Sequence, residues 1–220
     1  MNTEATTTTI DHLVVETDDT ERARAFYAAA FDLGDRIRVR RSEAPTSGFR
    51  GFTISLLASQ PANVHALYDS AIAAGATAVK PVSKSLWGVG GTFRAPDGSV
   101  WTIATSSKKD TTPAEREIDS IVLLLGPADV GAAKRFYTER GLRAGKSFGA
   151  YVEFELPGSP VQFGLNARKA LAKAAGVPLD GDGSHRLAIG GGAAAFSDLD
   201  GFAWEPAADA TSVAPVSPVE

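Results

Sequence analysis

The sequence Ile10-Asp11-His12-Leu13-Val14-Val15 has an echo near the middle of the chain, Ile118-Asp119-Ser120-Ile121-Val122-Leu123. Each copy is an apolar run of the length of a β-strand. Each is followed by an acidic residue suited to start a helix and then by a Phe-Tyr pair, at Phe26-Tyr27 and Phe136-Tyr137. We infer an internal duplication in which a strand leads into a helix.

A second pair of echoes lies near the end of each copy. Pro96-Asp97-Gly98-Ser99-Val100-Trp101 corresponds to Leu199-Asp200-Gly201-Phe202-Ala203-Trp204. The Asp-Gly in each indicates a tight turn, and the residues after it have the pattern of a strand, so each segment predicts a hairpin. Two copies of strand, helix and closing hairpin predict two related domains.

Helices are predicted where apolar residues recur on one face between a capping residue and a glycine. The first follows Asp18-Asp19-Thr20 and ends before Gly34, and the others cover 64–75, 129–141 and 168–175. Strands are predicted at 8–17, 36–41, 50–58, 78–81, 90–95 and 99–105 in the first half, and at 117–125, 149–156, 161–165, 185–190 and 202–205 in the second.

The domain boundaries follow from these elements and from composition. Domain 1 is predicted at 8–106 and domain 2 at 118–206. The polar segment 107–117 is the expected linker, and the segment 207–220, rich in Ala, Ser, Pro and Val, is the expected disordered tail.

Composition excludes several classes of function. The net charge of -4 disfavours nucleic acid as a partner, and the absence of cysteine excludes disulfides, zinc-thiolate sites and thiol nucleophiles. The sequence has neither a membrane-spanning apolar run nor a pattern typical of a secretory signal, so we expect a cytoplasmic protein without membrane contact. The alternating run Arg36-Ile37-Arg38-Val39-Arg40-Arg41 predicts a strand with arginines on its solvent face; an anion-binding rim is the alternative.

A known superfamily has these features in this order. A first strand carrying His12, an Asp-capped helix ending in Phe-Tyr and a closing Pro-Asp-Gly-x-x-Trp hairpin resemble the vicinal oxygen chelate superfamily, which includes glyoxalase I, bleomycin-binding proteins and extradiol dioxygenases. The stretch Ser47–Thr53 is similar to uncharacterised bacterial glyoxalase-like proteins. The resemblance implies an α+β fold of tandem β-α-β-β-β modules, with curled mixed sheets around a cavity, in two pseudo-symmetric glyoxalase-like domains.

Both domains depart from that plan because each is too short for two full modules. Domain 1 passes from strand 36–41 almost directly to the second-module strand at 50–58, and too few residues separate His185 from Glu205 for another crossing helix in domain 2. We expect each domain to keep whole the module that the other has trimmed. The chain would then be a monomer that forms an internal pseudo-dimer, or a homodimer.

The resemblance places metal ligands on the first and last strands of each module, where several His, Glu or Gln must converge. The corresponding positions hold His12, Thr53 and Thr102 in domain 1 and Ser120, Gln162, Ala188 and Glu205 in domain 2. Only His12 and Glu205 clearly match, and they lie in different domains. We therefore expect no cofactor. The alternative is a divalent metal shared by His12 and Glu205. The purely structural explanations of these residues are that His12 is a hydrogen-bonded core histidine and that Glu205 is a surface carboxylate paired with an arginine.

The remaining candidate is the cavity itself, to which strand aromatics can contribute. The predicted ligand pocket consists of His12, Phe52, Trp87, Phe93, Thr102, Ser120, Tyr151 and Glu205. No catalytic residue is assigned.

Three functions remain. The first is binding of a small hydrophobic or aromatic molecule without a metal, as in a glyoxalase/bleomycin-resistance-like protein. The second is a metal-dependent lyase, isomerase or dioxygenase that uses His12 and Glu205. The third is an interaction protein whose trimmed modules expose sheet surface, since one scaffold supports many functions.

Overall fold

The computed structural model describes residues 9–192 and 194–207. The first half contains β1 (His12–Thr17), α1 (Thr20–Ala30), β2 (Ile37–Arg41), β3 (Thr46–Gly48), β4 (Phe52–Leu57), α2 (Pro61–Ala73), β5 (Thr77–Ser85), β6 (Gly88–Arg94) and β7 (Val100–Thr105). The second contains β8 (Ser120–Leu125), α3 (Val130–Glu139), β9 (Arg143–Phe148), β10 (Tyr151–Glu155), β11 (Val161–Asn166), α4 (Arg168–Ala175), β12 (Gly181–Gly183), β13 (Leu187–Gly192), β14 (Phe196–Ser197) and β15 (Ala203–Pro206).

The predicted helices form, and two of them carry the predicted caps. The Asp19 side chain accepts a hydrogen bond from the Arg22 amide at 3.0 Å, and that of Asp129 accepts from the Ala132 amide at 2.9 Å. Each carboxylate thereby satisfies an amide that the first helical turn leaves without a partner. The short strands β3, β12 and β14 and the longer β9 are additions to the prediction.

Two complete modules form an eight-stranded sheet in the order β5-β6-β7-β4-β8-β11-β10-β9. Within each module the first and last strands are parallel neighbours, β4 with β7 and β8 with β11. The modules join through the antiparallel pair β4–β8. The second module of domain 1 and the first module of domain 2 are therefore the complete ones, as predicted.

The two trimmed modules form the second large sheet, in the order β14-β15-β13-β1-β2. Here too each first strand pairs in parallel with a last strand, β1 with β2 and β13 with β15. The antiparallel pair β1–β13 joins the modules. The mixed α+β architecture with trimmed modules is confirmed. Because both sheets contain strands of both sequence halves, the limits 8–106 and 118–206 describe halves of the sequence, and their status as domains stays a prediction.

The main core contains residues of both sheets and of α1, α2 and α3, and each half contributes one aromatic cluster. In the first half Trp101, which is fully buried, lies against Tyr27, Phe31 and Phe93. In the second half Trp204 lies against Tyr137, Phe163 and Phe196. The echoed tryptophans of the two hairpins thus occupy equivalent places.

A tyrosine–carboxylate hydrogen bond ties the two modules of each half together. Tyr27 on α1 donates to Asp97 in the turn before β7, and Tyr137 on α3 donates to Asp198, in the turn before β15, at 2.6 Å. Burial, and then the neighbouring aspartate, raise the pKa of both tyrosines, so both stay protonated donors. Because the paired modules lie in different sheets, these bonds also link the sheets.

The predicted linker 107–117 has neither helix nor strand, but its backbone is anchored to the start of α2. The buried Gln60 side chain accepts hydrogen bonds from the amides of Thr111 and Thr112 at 2.7 and 3.0 Å and donates to Pro113 O at 3.1 Å. Asp110 accepts from the Ala62 amide at 2.6 Å and so caps α2 from a distance.

Helix α4 lies on the face of the eight-stranded sheet opposite to α2 and α3. Leu171, Ala172 and Ala175 are buried there in a separate small cluster with Val100 and Leu124. No helix in residues 9–192 and 194–207 is long and apolar enough to cross a membrane. The predicted tail falls, apart from residue 207, outside the described residues.

Candidate functional site

The positions to which the resemblance assigns metal ligands form one row across the eight-stranded sheet, in which Ser55 stands instead of the predicted Thr53. Register pairs Thr102 with Ser55, Ser55 with Val122, and Val122 with Gln162. The hydroxyls of Ser55 and Thr102 form a hydrogen bond with each other, and their oxygen atoms lie 2.6 Å apart. Two hydroxyls, an aliphatic group and one amide make a poor ligand set for a divalent ion.

The register corrects the alignment of the two first strands. Ser120, the residue echoing His12 in the sequence, pairs with Leu57 and lies outside this row. The true counterpart of His12 is Val122, because each stands seven positions before the aspartate that caps the following helix, Asp19 and Asp129.

The equivalent row on the five-stranded sheet brings the two predicted metal ligands onto one face. His12 pairs with Gly190, and Gly190 pairs with Glu205. Two strand spacings separate His12 from Glu205, about 10 Å between Cα atoms. Gly190, rather than the predicted Ala188, is thus the middle residue. A Cβ at Gly190 would overlap the His12 ring, which shows that the imidazole lies across β13 in the direction of Glu205.

The His12 ring is buried, with 5% of the residue exposed, and is held by Arg38. Arg38 Nη1 lies 3.2 Å from His12 Nε2. Because a guanidinium can only donate, Nε2 must accept, and the neutral ring carries its proton on Nδ1. Burial, and after it the charge of Arg38, lower the pKa of His12 below its ordinary value of 6.5. His12 is therefore neutral at neutral pH.

Glu205 is also held by an arginine. Arg40 Nη1 donates to Glu205 Oε1 at 2.7 Å, while Arg40 Nε and Nη2 donate to Glu16 Oε1 at 3.0 and 2.6 Å. One guanidinium thus bridges two carboxylates. Burial lowers the pKa of Arg40, but the hydrogen bonds and charges of Glu16 and Glu205 outweigh that effect and raise it.

The residues of this row do not fit a divalent metal ion. No group of three or more His, Cys, Asp or Glu that could hold an ion occurs among the residues that the structure describes. The Nε2 lone pair of His12 accepts from Arg38, and Glu205 neutralises Arg40. A divalent cation would have to displace two guanidinium groups and would still have only two protein ligands.

We predict that replacing Arg38 with Gln raises the pKa of His12 towards 6.5, because a neighbouring positive charge is removed while burial remains. An NMR titration of the imidazole Hε1 signals measures the pKa of His12, with the exposed His65 as the control. Because the pKa in the folded state lies below the unfolded value, the wild-type protein loses stability as the pH falls below 6.5 towards the lowered pKa. Arg38→Gln should reduce that loss; an unchanged pKa would contradict the assigned contact.

An open depression lies on the outer face of the eight-stranded sheet, beyond the end that α4 covers. We call it the sheet trough and define it by Leu57, Trp87, Ala104 and Ser120. Its volume is about 400 Å³. Leu57 pairs with both Ala104 and Ser120, so these three side chains form a floor. Trp87, on the tip between β5 and β6, is 84% exposed and lines one side.

The structure distributes the predicted pocket residues over several places. Trp87 and Ser120 meet in the sheet trough, and Thr102 is in the adjoining row. Phe52 and Phe93 are buried on the side of the sheet that carries α2 and α3, where alternation along β4 and β6 directs them, so neither can line a pocket. Tyr151 is half-buried at the start of β10, far along the sheet from the trough. His12 and Glu205 line a separate cleft on the five-stranded sheet.

Several residues of these two places could not be identified from the sequence. Leu57 and Ala104 give no signal beyond strand alternation. Arg38 and Arg40 were visible as an alternating basic run, which predicted their solvent-facing side but not their partners. Gly190 had no signal, because its lack of a side chain matters only once His12 lies over it.

No protein-family model matches the chain, and no curated protein sequence matches it. Solved structures do match. Two single-residue variants of glyoxalase I from Zea mays superpose with TM-scores of 0.58 and 0.57 at 12% and 13% identity, covering 91% and 90% of this chain and 93% and 91% of theirs. Another glyoxalase I structure from Zea mays gives a TM-score of 0.53 at 14% identity, covering 83% of this chain and 74% of the other. The chain therefore has the fold of these glyoxalase I structures.

Proposed function

We propose that this protein binds a small, neutral hydrophobic or aromatic molecule in the sheet trough without a metal ion. One observation carries the proposal. The row that would hold metal ligands beside the trough contains Ser55 and Thr102, whose hydroxyls bond to each other, and the aliphatic Val122. The face thus has an open depression with an apolar floor but lacks the donors for metal chemistry.

The shape of the trough supports a flat ligand. Leu57 and Ala104 provide an apolar floor, and the Trp87 ring stands at the side with most of its surface in water. An aromatic ligand that stacks on Trp87 and covers Leu57 would remove both apolar surfaces from water. Ser120 offers one hydroxyl for orientation.

The second candidate is the metal-dependent lyase, isomerase or dioxygenase. The observation in its favour is that His12 and Glu205 share one face and one row of the five-stranded sheet. The two guanidinium groups that engage these side chains weigh against it. We therefore place metal-independent binding first.

The proposed cellular setting is the cytoplasm, which is consistent with the absence of cysteine from the sequence. Antiparallel pairing of modules within one chain already builds both large sheets, which supports a monomer that forms an internal pseudo-dimer. A homodimer is the alternative, and sedimentation measurements distinguish the two.

The test is calorimetric titration of 2-naphthol into the full chain after treatment with a chelator. We expect binding that weakens about tenfold or more in Trp87→Ala, because one aromatic contact and its buried area are lost. Phe148→Ala is the matched control, since Phe148 is an equally exposed aromatic on the corresponding hairpin tip of the other complete module. Equal weakening in both variants, or no binding to the wild type, would refute the proposed site.

A further inference from the structure

A cleft of about 880 Å³ lies on the outer face and free edge of the five-stranded sheet. We call it the arginine cleft; His12, Arg24, Arg38, Arg40 and Glu205 are among its lining residues. We propose that the arginine cleft binds a small monocarboxylate through Arg38 and Arg24. This site is separate from the sheet trough and does not depend on the function proposed for it.

Charge pairing distinguishes the arginines of the cleft. Arg40 is neutralised by Glu16 and Glu205, and Arg41 is paired with Glu43. Arg38 and Arg24 have no carboxylate within ion-pair distance in the described ranges 9–192 and 194–207. Two positive charges on the cleft wall therefore have no fixed counter-charge.

The hydrogen bonds of these two arginines leave donors for a ligand. Arg38 uses Nη1 for His12, and Arg24 uses Nη2 for the Val39 carbonyl oxygen at 3.1 Å. Both acceptors are neutral. Each guanidinium carries five N–H donors in a planar fork that matches a carboxylate, so most of its donors remain for an anion.

The trimming of the first module creates this cleft. β2 is the edge strand of its sheet, and Arg24 crosses from α1 to hydrogen-bond the Val39 carbonyl there. A neighbouring depression of about 580 Å³ shares Arg24, Arg38 and Val39, so the two form a continuous groove around the edge.

The remaining walls define the ligand further. Val14, Val39, Pro206 and Ala207 are apolar, which fits a hydrophobic body attached to the anionic group. Arg40 balances only one of its two carboxylate partners, Glu16 and Glu205, and the excess negative charge disfavours a second negative charge on the ligand. A monocarboxylate with an apolar body satisfies both conditions, whereas a dianion such as a phosphate monoester does not.

The experiment compares 2-naphthoate with 2-naphthol, which has the same ring system without the charge, by calorimetric titration into the full chain. We expect Arg38→Gln to weaken 2-naphthoate binding about 10- to 100-fold, because charge-assisted hydrogen bonds are lost. The affinity of Arg38→Lys for 2-naphthoate should lie between those of Arg38→Gln and the wild type, since lysine keeps the charge but lacks the planar set of donors of a guanidinium. Arg143→Gln is the control, as Arg143 is exposed and paired with Glu155 on the edge of the other sheet.

The outcomes separate the two sites. The carboxylate site is supported if Arg38→Gln binds 2-naphthoate more weakly while its affinity for 2-naphthol and its melting temperature are unchanged. This holds even if 2-naphthol binds neither protein. Three results would overturn it: no 2-naphthoate binding, equal affinity in Arg38→Gln and wild type, or a loss caused by Trp87→Ala, which would assign the anion to the sheet trough.

Discussion

Replacing Trp101 with Ala is expected to lower the free energy of unfolding by about 3–5 kcal/mol, the range for deleting a large buried aromatic side chain. Trp101 has no exposed surface and packs against Tyr27, Phe31 and Phe93. Its removal leaves a cavity where α1 meets the eight-stranded sheet. Urea denaturation measures the change, with the slope of the transition compared between variants.

The control for this variant is another tryptophan of the same chain. Trp87→Ala should change the free energy of unfolding by less than about 0.5 kcal/mol, since a side chain that is 84% exposed has little packing to lose. If Trp101→Ala lowered the free energy of unfolding no more than Trp87→Ala does, the aromatic cluster of the first half would not stabilise the fold.

Replacing Asp97 with Ala is expected to lower the free energy of unfolding by about 2–6 kcal/mol, because each of two buried donors loses its partner at about 1–3 kcal/mol. The Asp97 carboxylate accepts from Tyr27 Oη and, at 2.7 Å, from the Ser99 amide. The exposed Asp69 on α2 serves as the control, with an expected change near zero.

A double-mutant cycle isolates the tyrosine contact. In the Asp97→Ala background, Tyr27→Phe removes a hydroxyl that has already lost its main acceptor. Tyr27→Phe should therefore lower the free energy of unfolding much less in this background than in the wild type. Additive losses would show that the Tyr27–Asp97 bond does not tie α1 to the turn before β7.

The modular plan of the fold could be predicted from the sequence because it depends on local signals. The strand with His12, the capping Asp19 and Asp129, and the Asp-Gly turns each belong to one short segment. The trimming of one module in each half followed from counting residues between such segments. The pairing of β1 with β13 and of β4 with β8 could not be predicted, because it joins distant segments and has no local signal.

The candidate sites were less predictable for the same reason. A strand register that shifts by two residues keeps every side chain on its face but changes its neighbours. The sequence echo therefore matched His12 with Ser120, whereas the sheet places Val122 at the equivalent point. The position of α4 on the outer face was equally hidden, although it decides which end of that face stays open.

The aromatic residues show where alternation helps and where it fails. Phe52 belongs with Ile54 and Leu56 on one face of β4, opposite to Ser55, so its burial with the helices follows from parity once Ser55 is assigned to the outer face. Trp87 lies in a turn, where the alternation of side chains along a strand does not apply. Only the structure shows that it is exposed beside Leu57.

We expect an open face of this fold to bind a small molecule where the donors for a metal ion are missing. The most direct measurement is the affinity for 2-naphthol of chelator-treated protein, repeated with an equimolar amount of Zn²⁺ or Mn²⁺. We predict the same affinity in all three titrations and no stoichiometric uptake of either ion. Binding that appears only with the metal and disappears in His12→Ala or Glu205→Ala would contradict the account.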